Sequence, residues 1–430
     1  MTKRTTTTKK MTINNSSKYF PIRNSAACPL KWNWNTLWLY EGASSSCCVS
    51  AKESISADTF DQFHNGDKKL QHRKLMLQGT WPEDECDSCR LPEQQGEFSN
   101  RLIHLDIPNQ IPVELEQNSE AITVTPTTLE VYFNNTCNLS CLYCTPTLSS
   151  KINQEYQKYG DFIKDGISLK ATTITTEYDR IVEKFWAWLE QNSIKLRRLN
   201  ILGGEPLYQN DFYKTLDWFE SKCHPELELT IITNLMVPAD RLKKVVDRFQ
   251  QLLAKKKLKR IDITCSIDCW GAEQEYVRHG LDLDHWIKNF EYLLSKKWLT
   301  LHINQAINVL GIKTMPVLIE KLSQWRQQRP VGHYFSSVVA PTYLSPFILG
   351  NSIFDADFKK IINSMSKETL EQQNAKSYMN SIYKQLQNSQ PNLTEMQKLK
   401  IYLDENDRRK NTNWAETFPW LVKELQHVVQ

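Results

Sequence analysis

From residue 129 onward the chain keeps one rhythm, a short apolar strand followed by an amphipathic helix, and that rhythm restricts the folds open to it. The patterning predicts strands at Leu129–Asn134, Leu196–Leu202, Leu227–Asn234, Arg260–Asp268, Leu299–Asn308 and His333–Ala340. Between them it predicts helices at Glu177–Asn192, Asp211–Cys223, Asp240–Lys256, Leu283–Lys297 and Thr314–Gln328. In the first of these, Ile181, Phe185, Trp188 and Leu189 recur along one helical face. Pro238 opens the third helix region, where its fixed φ and missing donor do no harm. Strands separated by helices are expected to pair in parallel, with the helices covering the sheet. The expected class is therefore α/β. A polar segment, Ser149 to Thr176, is expected as a long loop covering one mouth of the sheet.

The flanks read differently. Residues 1–20 are Thr-, Lys- and Asn-rich and are expected as a disordered tail. Residues 21–125 are rich in Trp, Cys, Pro and Gly, with weak periodicity, and read as a small metal-stabilised module. Residues 126–341 form the α/β core, and 342–430 a helical region, clearest at Lys359–Ser366 and Trp414–Val428. A length of 430 residues fits this multi-part organisation. Net charge is only +4, so the basic face a nucleic-acid binder needs is missing. The dense basic run Lys255–Arg260 reads as a solvated helix-to-strand turn. No stretch reaches the length of a membrane span, and the start lacks an apolar signal core. Eleven cysteines without such a signal point to metal or redox chemistry in a reducing, cytoplasmic setting.

Three of those cysteines follow the first strand as Cys137-x3-Cys141-x2-Cys144. A four-iron cluster normally takes four thiolates, so three leave one iron open, as catalytic zinc sites keep a position open. Zinc is the alternative occupant, in a partial knuckle. Where parallel strands form a barrel, chemistry gathers at their C-terminal ends. The second strand ends in Gly203-Gly204-Glu205-Pro206, where glycines permit close backbone approach and the carboxylate suits a cationic amine. The third ends in Thr233-Asn234, with Asn234 either a site residue or a left-handed turn residue. On the fourth, Thr264, Ser266 and Asp268 share one face and Cys265 the other. Arg278 follows, suited to clamp a carboxylate or to form an ordinary ion pair, and Asn308 ends the fifth strand. Cys223 and Cys269 read as small core residues.

The triplet, with Tyr143 before its last cysteine, and the GGEP turn resemble the radical S-adenosylmethionine (SAM) superfamily. That resemblance implies a partial (βα)6 TIM-like barrel holding a [4Fe–4S] cluster at Cys137, Cys141 and Cys144. It further implies SAM as co-substrate, with its ammonium at Glu205. Tyr143, Gly203, Gly204, Asn234, Ser266, Asp268, Arg278 and Asn308 are the further SAM-binding candidates. The reaction implied is reductive cleavage of SAM and hydrogen abstraction from a peptide or small-molecule substrate. An electron donor such as flavodoxin or ferredoxin is the implied partner.

Upstream, Cys28, Cys47, Cys86 and Cys89 supply four thiolates, enough to close a second site. Cys47 is preferred to Cys48 because it follows Gly42 at the spacing of a turn-borne ligand. CPLKW, HRKLMLQG and CDSCRLPEQQGEFSNR resemble the twitch or SPASM auxiliary-cluster modules of the same superfamily. In its best-known members that module follows the barrel, and here it precedes it. Fully ligated, such an auxiliary Fe–S cluster suits electron transfer or structure. A zinc-binding interaction or nucleic-acid-binding module and a catalytically silent radical SAM scaffold are the rival readings.

Overall fold

The computed structural model describes residues 19–47, 50–94, 99–105, 107 and 110–426. Cys48 and almost all of the expected disordered tail lie outside the described residues. The chain divides into two compact units, residues 1–131 with 175–199, and residues 132–174 with 200–430.

In the first unit four strands, β1 (Trp34–Trp38), β2 (Ala43–Ser45), β3 (Glu53–Ser54) and β4 (Thr128–Tyr132), neighbour one another in the order β4-β1-β2-β3. β1 and β2 are antiparallel, as are β2 and β3. Helices Asp67–Leu77, Glu83–Gln94 and Tyr178–Asn192 belong to the same unit. Ile181, Phe185 and Leu189 are fully buried, as the 3.6-residue spacing requires. Much of the backbone here is irregular, and buried side chains take up its carbonyls. Arg73 donates from Nε to Lys31 O (2.7 Å) and from its two terminal nitrogens to Ile122 O (2.6 Å) and His64 O (2.9 Å).

The second unit contains β5 (Ser140–Cys141), β6 (Phe162–Lys164), β7 (Ile167–Leu169), β8 (Arg198–Leu202, its last three residues), β9 (His224–Thr233), β10 (Leu258–Ser266), β11 (Arg278–His279), β12 (Thr300–Ile307) and β13 (Gly332–Ser337). Its main sheet runs β8-β9-β10-β12-β13. The β9–β10, β10–β12 and β12–β13 pairs are parallel. Helices Asn210–Ser221, Ala239–Ala254, Leu283–Leu294 and Met315–Arg326 make the crossovers. Strand order follows chain order without reversal, which is the winding of a barrel segment and not of a doubly wound sheet. Cys265 pairs with Thr233, and Ser266 with Asn304, so the strand ends form one edge.

The expected polar loop 149–176 is more ordered than its composition suggests. Ser149 caps the helix Ser150–Tyr159, accepting from Ile152 N. β6 and β7 then form an antiparallel hairpin through Asp165 and Gly166, with φ of 48° and 81°, the positive pair that two-residue hairpin turns need. The helical tail holds more than was legible. Helices Leu370–Gln387 and Leu393–Lys410 join Asp355–Ser364, and the expected helix from Trp414 breaks at Phe418 before Pro419. These helices share one core with Leu142, Tyr276, Val277, Ile307 and Leu310.

Candidate functional site

The cysteine loop begins five residues past β4. Its middle cysteine lies in a two-residue strand, with Cys141 paired to Arg278 and Ser140 to His279. Leu142 N extends the pairing to Val277 O at 2.9 Å. The start of the next helix closes the loop from the other side. Ser149 Oγ donates to Leu139 O (2.7 Å), and Cys137 N donates to Ser150 Oγ (3.0 Å). These serines were not singled out in the sequence, although a Ser-Ser N-cap just after the last cysteine was readable there. All three thiols are half-buried. Burial, reinforced by Cys141, pushes the Cys137 thiol up to about 12. Burial also raises Cys141, with Arg278 opposing it. A metal that binds the thiolates removes this penalty, because a coordinating thiol is deprotonated.

The GGEP turn is fitted against this loop. Glu205 N donates to Thr136 O at 2.7 Å. A Cβ built on Gly204 would stand 2.1 Å from Thr136 O, and one on Gly203 2.9 Å from the Tyr132 ring. Both glycines have positive φ, 85° and 50°, so the turn needs glycine for two reasons. Glu205 itself is fully buried. Its carboxylate accepts from Thr233 Oγ1 (2.8 Å), Asn234 N (2.6 Å) and Leu207 N (3.1 Å), clasping the turn to the end of β9. Burial outweighs those donors and lifts its pKa from 4.5 to about 7.

A folded-state pKa above the unfolded one favours the fold while the group is protonated. That contribution is full below about pH 4.5 and is lost as pH rises towards 7. Urea denaturation should therefore show Glu205→Gln gaining on the parent by roughly 3 kcal/mol over that window.

Asn234 is not the left-handed residue of its turn; Leu235 is, with φ 63°. The Asn234 side chain reaches back to the cysteine loop, donating to Asn138 Oδ1 (2.9 Å) and lying 3.8 Å from Cys137 Sγ. Leu139 N is a second donor to that sulfur, at 3.5 Å. N–H groups aimed at sulfur are what an iron–sulfur site uses to stabilise thiolate charge.

Asp268 and Arg278 form a buried bidentate pair, with both contacts at 2.9 Å. Tyr143 Oη donates to the same carboxylate (2.7 Å), as does Ala306 N (2.9 Å). Burial works against the Arg278 charge, and Asp268 outweighs it, so the pKa is raised. The guanidinium therefore points at Asp268, joining the loop to the end of β10. Ser266 is buried at that strand end, paired with Asn304. Asn308 turns back on its own loop, accepting from Leu310 N and Gly311 N, both at 3.1 Å. Cys269 is buried in the core as expected, and Cys265 is buried too; Cys223, expected in the core as well, is exposed because it lies in the turn between the helix ending at Ser221 and β9.

No family model matches the chain, and no curated protein does. Among solved structures it is similar to Streptococcus suis SuiB bound to S-adenosylmethionine. Identity is 14% and TM-score 0.36, over 83% of this chain and 70% of that one. It is also similar to anSMEcpe with bound AdoMet, at 15% identity and TM-score 0.34, over 55% of this chain and 59% of that one. SuiB bound to the precursor peptide SuiA gives 13% and 0.35. The first two of these were solved with S-adenosylmethionine bound. At such identities and TM-scores the likeness assigns neither family nor activity.

The first unit gathers the four upstream cysteines. Cys28 and Cys47 are buried in one cluster against the half-buried Cys86. Burial, then Cys47, Cys86 and Cys89, raise the Cys28 thiol, which places the other three within electrostatic reach of it. Among the described residues, the three metal-capable side chains with ligand atoms within 4.8 Å of one another are His72, Asp84 and Glu85. Lys68 and Lys31 already occupy that carboxylate cluster, at 2.7 Å and 2.5 Å from Glu85. Among the described residues, no three cysteine sulfurs are that close.

Proposed function

We propose that this chain is a radical SAM enzyme. The observation that carries the reading is the fit of the GGEP turn against a half-buried three-cysteine loop, at an edge where parallel strands end. Cys137, Cys141 and Cys144 would hold a [4Fe–4S] cluster with one iron free for SAM. When bound, that pair supplies one-electron cleavage of SAM and an adenosyl radical that abstracts hydrogen from the substrate. Asn234 donates towards the Cys137 sulfur. Gly203 and Gly204, half-buried, present backbone to the cofactor. Glu205 behind them supplies negative charge towards an ammonium while holding the turn. Asp268, Arg278 and Tyr143 act as positioning residues for the loop, and Ser266 is retained as a SAM contact.

Cys28, Cys47, Cys86 and Cys89 would hold an auxiliary iron–sulfur cluster. Four thiolates are enough to close such a site; the Cys86–Cys89 pair suits iron and zinc alike, and the radical SAM reading is what favours iron. A reduced flavodoxin or ferredoxin in the cytoplasm is the proposed donor, and a peptide the proposed substrate. Residues 21–125 and 126–341 are proposed as the auxiliary-cluster and radical SAM domains.

Anaerobic reconstitution should give about eight irons per chain, and dithionite with SAM should yield 5′-deoxyadenosine. Replacing Cys137, Cys141 and Cys144 together with Ala should remove about half the iron and all cleavage. Cys86→Ala with Cys89→Ala should spare the first cluster. Zinc in place of iron, or no cleavage from fully loaded protein, would overturn the reading.

A further inference from the structure

The helix Leu393–Lys410 carries no motif, yet two of its side chains end on the cysteine loop. Tyr402 Oη donates to Leu142 O at 2.7 Å, and Lys410 Nζ donates to Ser140 O at 2.9 Å. Those carbonyls flank Cys141 on either side. Leu142 is 1% exposed and lies in the core formed by the C-terminal helices. The helix therefore holds the loop by side-chain packing as well as by two hydrogen bonds. Next to it, Tyr276 Oη donates to Asp407 Oδ1 (2.6 Å), tying the helix to the segment that pairs with Cys141.

Lys410 is an unusual residue to find there. Its side chain is 6% exposed, and its nearest carboxylate is Glu155, at 3.9 Å. Burial holds its pKa below the usual lysine value, with Glu155, Cys141 and Cys144 opposing that shift. A buried ammonium is costly unless negative charge faces it. One carboxylate at that distance compensates it incompletely, and a cluster held by the loop would supply further negative charge.

Resting on the radical SAM reading above, we propose that this helix is part of the cluster site. It fastens the loop around Cys141, and through the Lys410 ammonium it sets how readily a cluster there accepts an electron. Reduction adds negative charge to the cluster, so a fixed neighbouring cation stabilises the reduced state. Net charge and hydrogen bonding are established controls on such potentials. Lys410 acts through the loop backbone at Ser140 and is a positioning and tuning residue.

The test is an EPR-monitored redox titration of full-length, anaerobically reconstituted protein, following the reduced signal that changes on adding SAM. Lys410→Met should keep its iron and shift the one-electron equilibrium against reduction by about tenfold, a fall of about 59 mV. Lys410→Arg should restore the parental midpoint. Glu155→Gln, which unmasks the ammonium, should move the midpoint upward. If Lys410→Met loads no iron, Glu155→Gln decides alone. Unchanged midpoints in iron-loaded Lys410→Met and Glu155→Gln overturn the proposal and leave the radical SAM reading standing. A parent protein with no SAM-responsive signal fails at that earlier reading instead.

Discussion

Asp268→Ala is expected to cost about 3–5 kcal/mol of folding stability, the loss typical of leaving one member of a buried ion pair uncompensated. Arg278 is buried, and both its contacts with Asp268 would be lost. Tyr143 Oη and Ala306 N would lose their acceptor in the same step. The apolar double variant Asp268→Leu/Arg278→Met should recover more than half of that stability, because removing both charges removes the desolvation penalty with the attraction. It should not recover iron binding fully, since Tyr143 and the strand beside Cys141 lose their anchor. Chemical denaturation and iron content, measured side by side, separate the two effects. Equal recovery of both would show that the pair stabilises the fold without ordering the loop.

Gly204→Ala is expected to be more severe than its single added carbon suggests. The new Cβ would fall 2.1 Å from Thr136 O and 2.6 Å from its carbonyl carbon. Those are backbone atoms of the cysteine loop and cannot turn aside as a side chain can. The φ of 50° adds strain for any residue with a Cβ. A loss of about 4 kcal/mol or more is expected, or local separation of turn and loop if the fold gives way there first. Either outcome should empty the three-cysteine site. Gly160→Ala is the control: it too has positive φ, but no atom lies within 4 Å of the added carbon, so only the backbone strain should register. Normal iron loading in Gly204→Ala would show that the two loops need not touch.

The sheet was readable because its signals are local and strong. Each of the six expected strands exists within a few residues of its reading, and so do the five helices. Buried strands such as Ile261–Ser266 and one-sided helices such as Ala239–Ala254 mark themselves by hydrophobic period. The helix Leu370–Gln387 did not, because it is rich in Gln, Asn and Lys and buries only Met379, Ile382 and Leu386 in its 18 residues. Its capping box, Thr369 with Gln372, was the available signal.

At the site, cysteine spacing and the double glycine were legible because each encodes a chemical or steric demand in adjacent residues. What each polar side chain bonds to was not. Glu205 clasps β9, Asn234 turns towards Cys137, and Arg278 spends its fork on Asp268. These choices depend on which strand ends come together. Lys410 had no sequence signal, being one more lysine in a charged helix end.

The contacts from Tyr402 and Lys410 reach back 260 and 270 residues along the chain. At a synthesis rate of about 5–20 residues per second, the cysteine loop emerges roughly 13–54 s before the side chains that complete its support. During that interval three thiols stand on a loop without its C-terminal brace. Maturation of this protein is thereby ordered in time: the loop can reach its final form only after the last helices are made. A chain truncated near residue 390 would carry every recognisable motif and still lack a finished site.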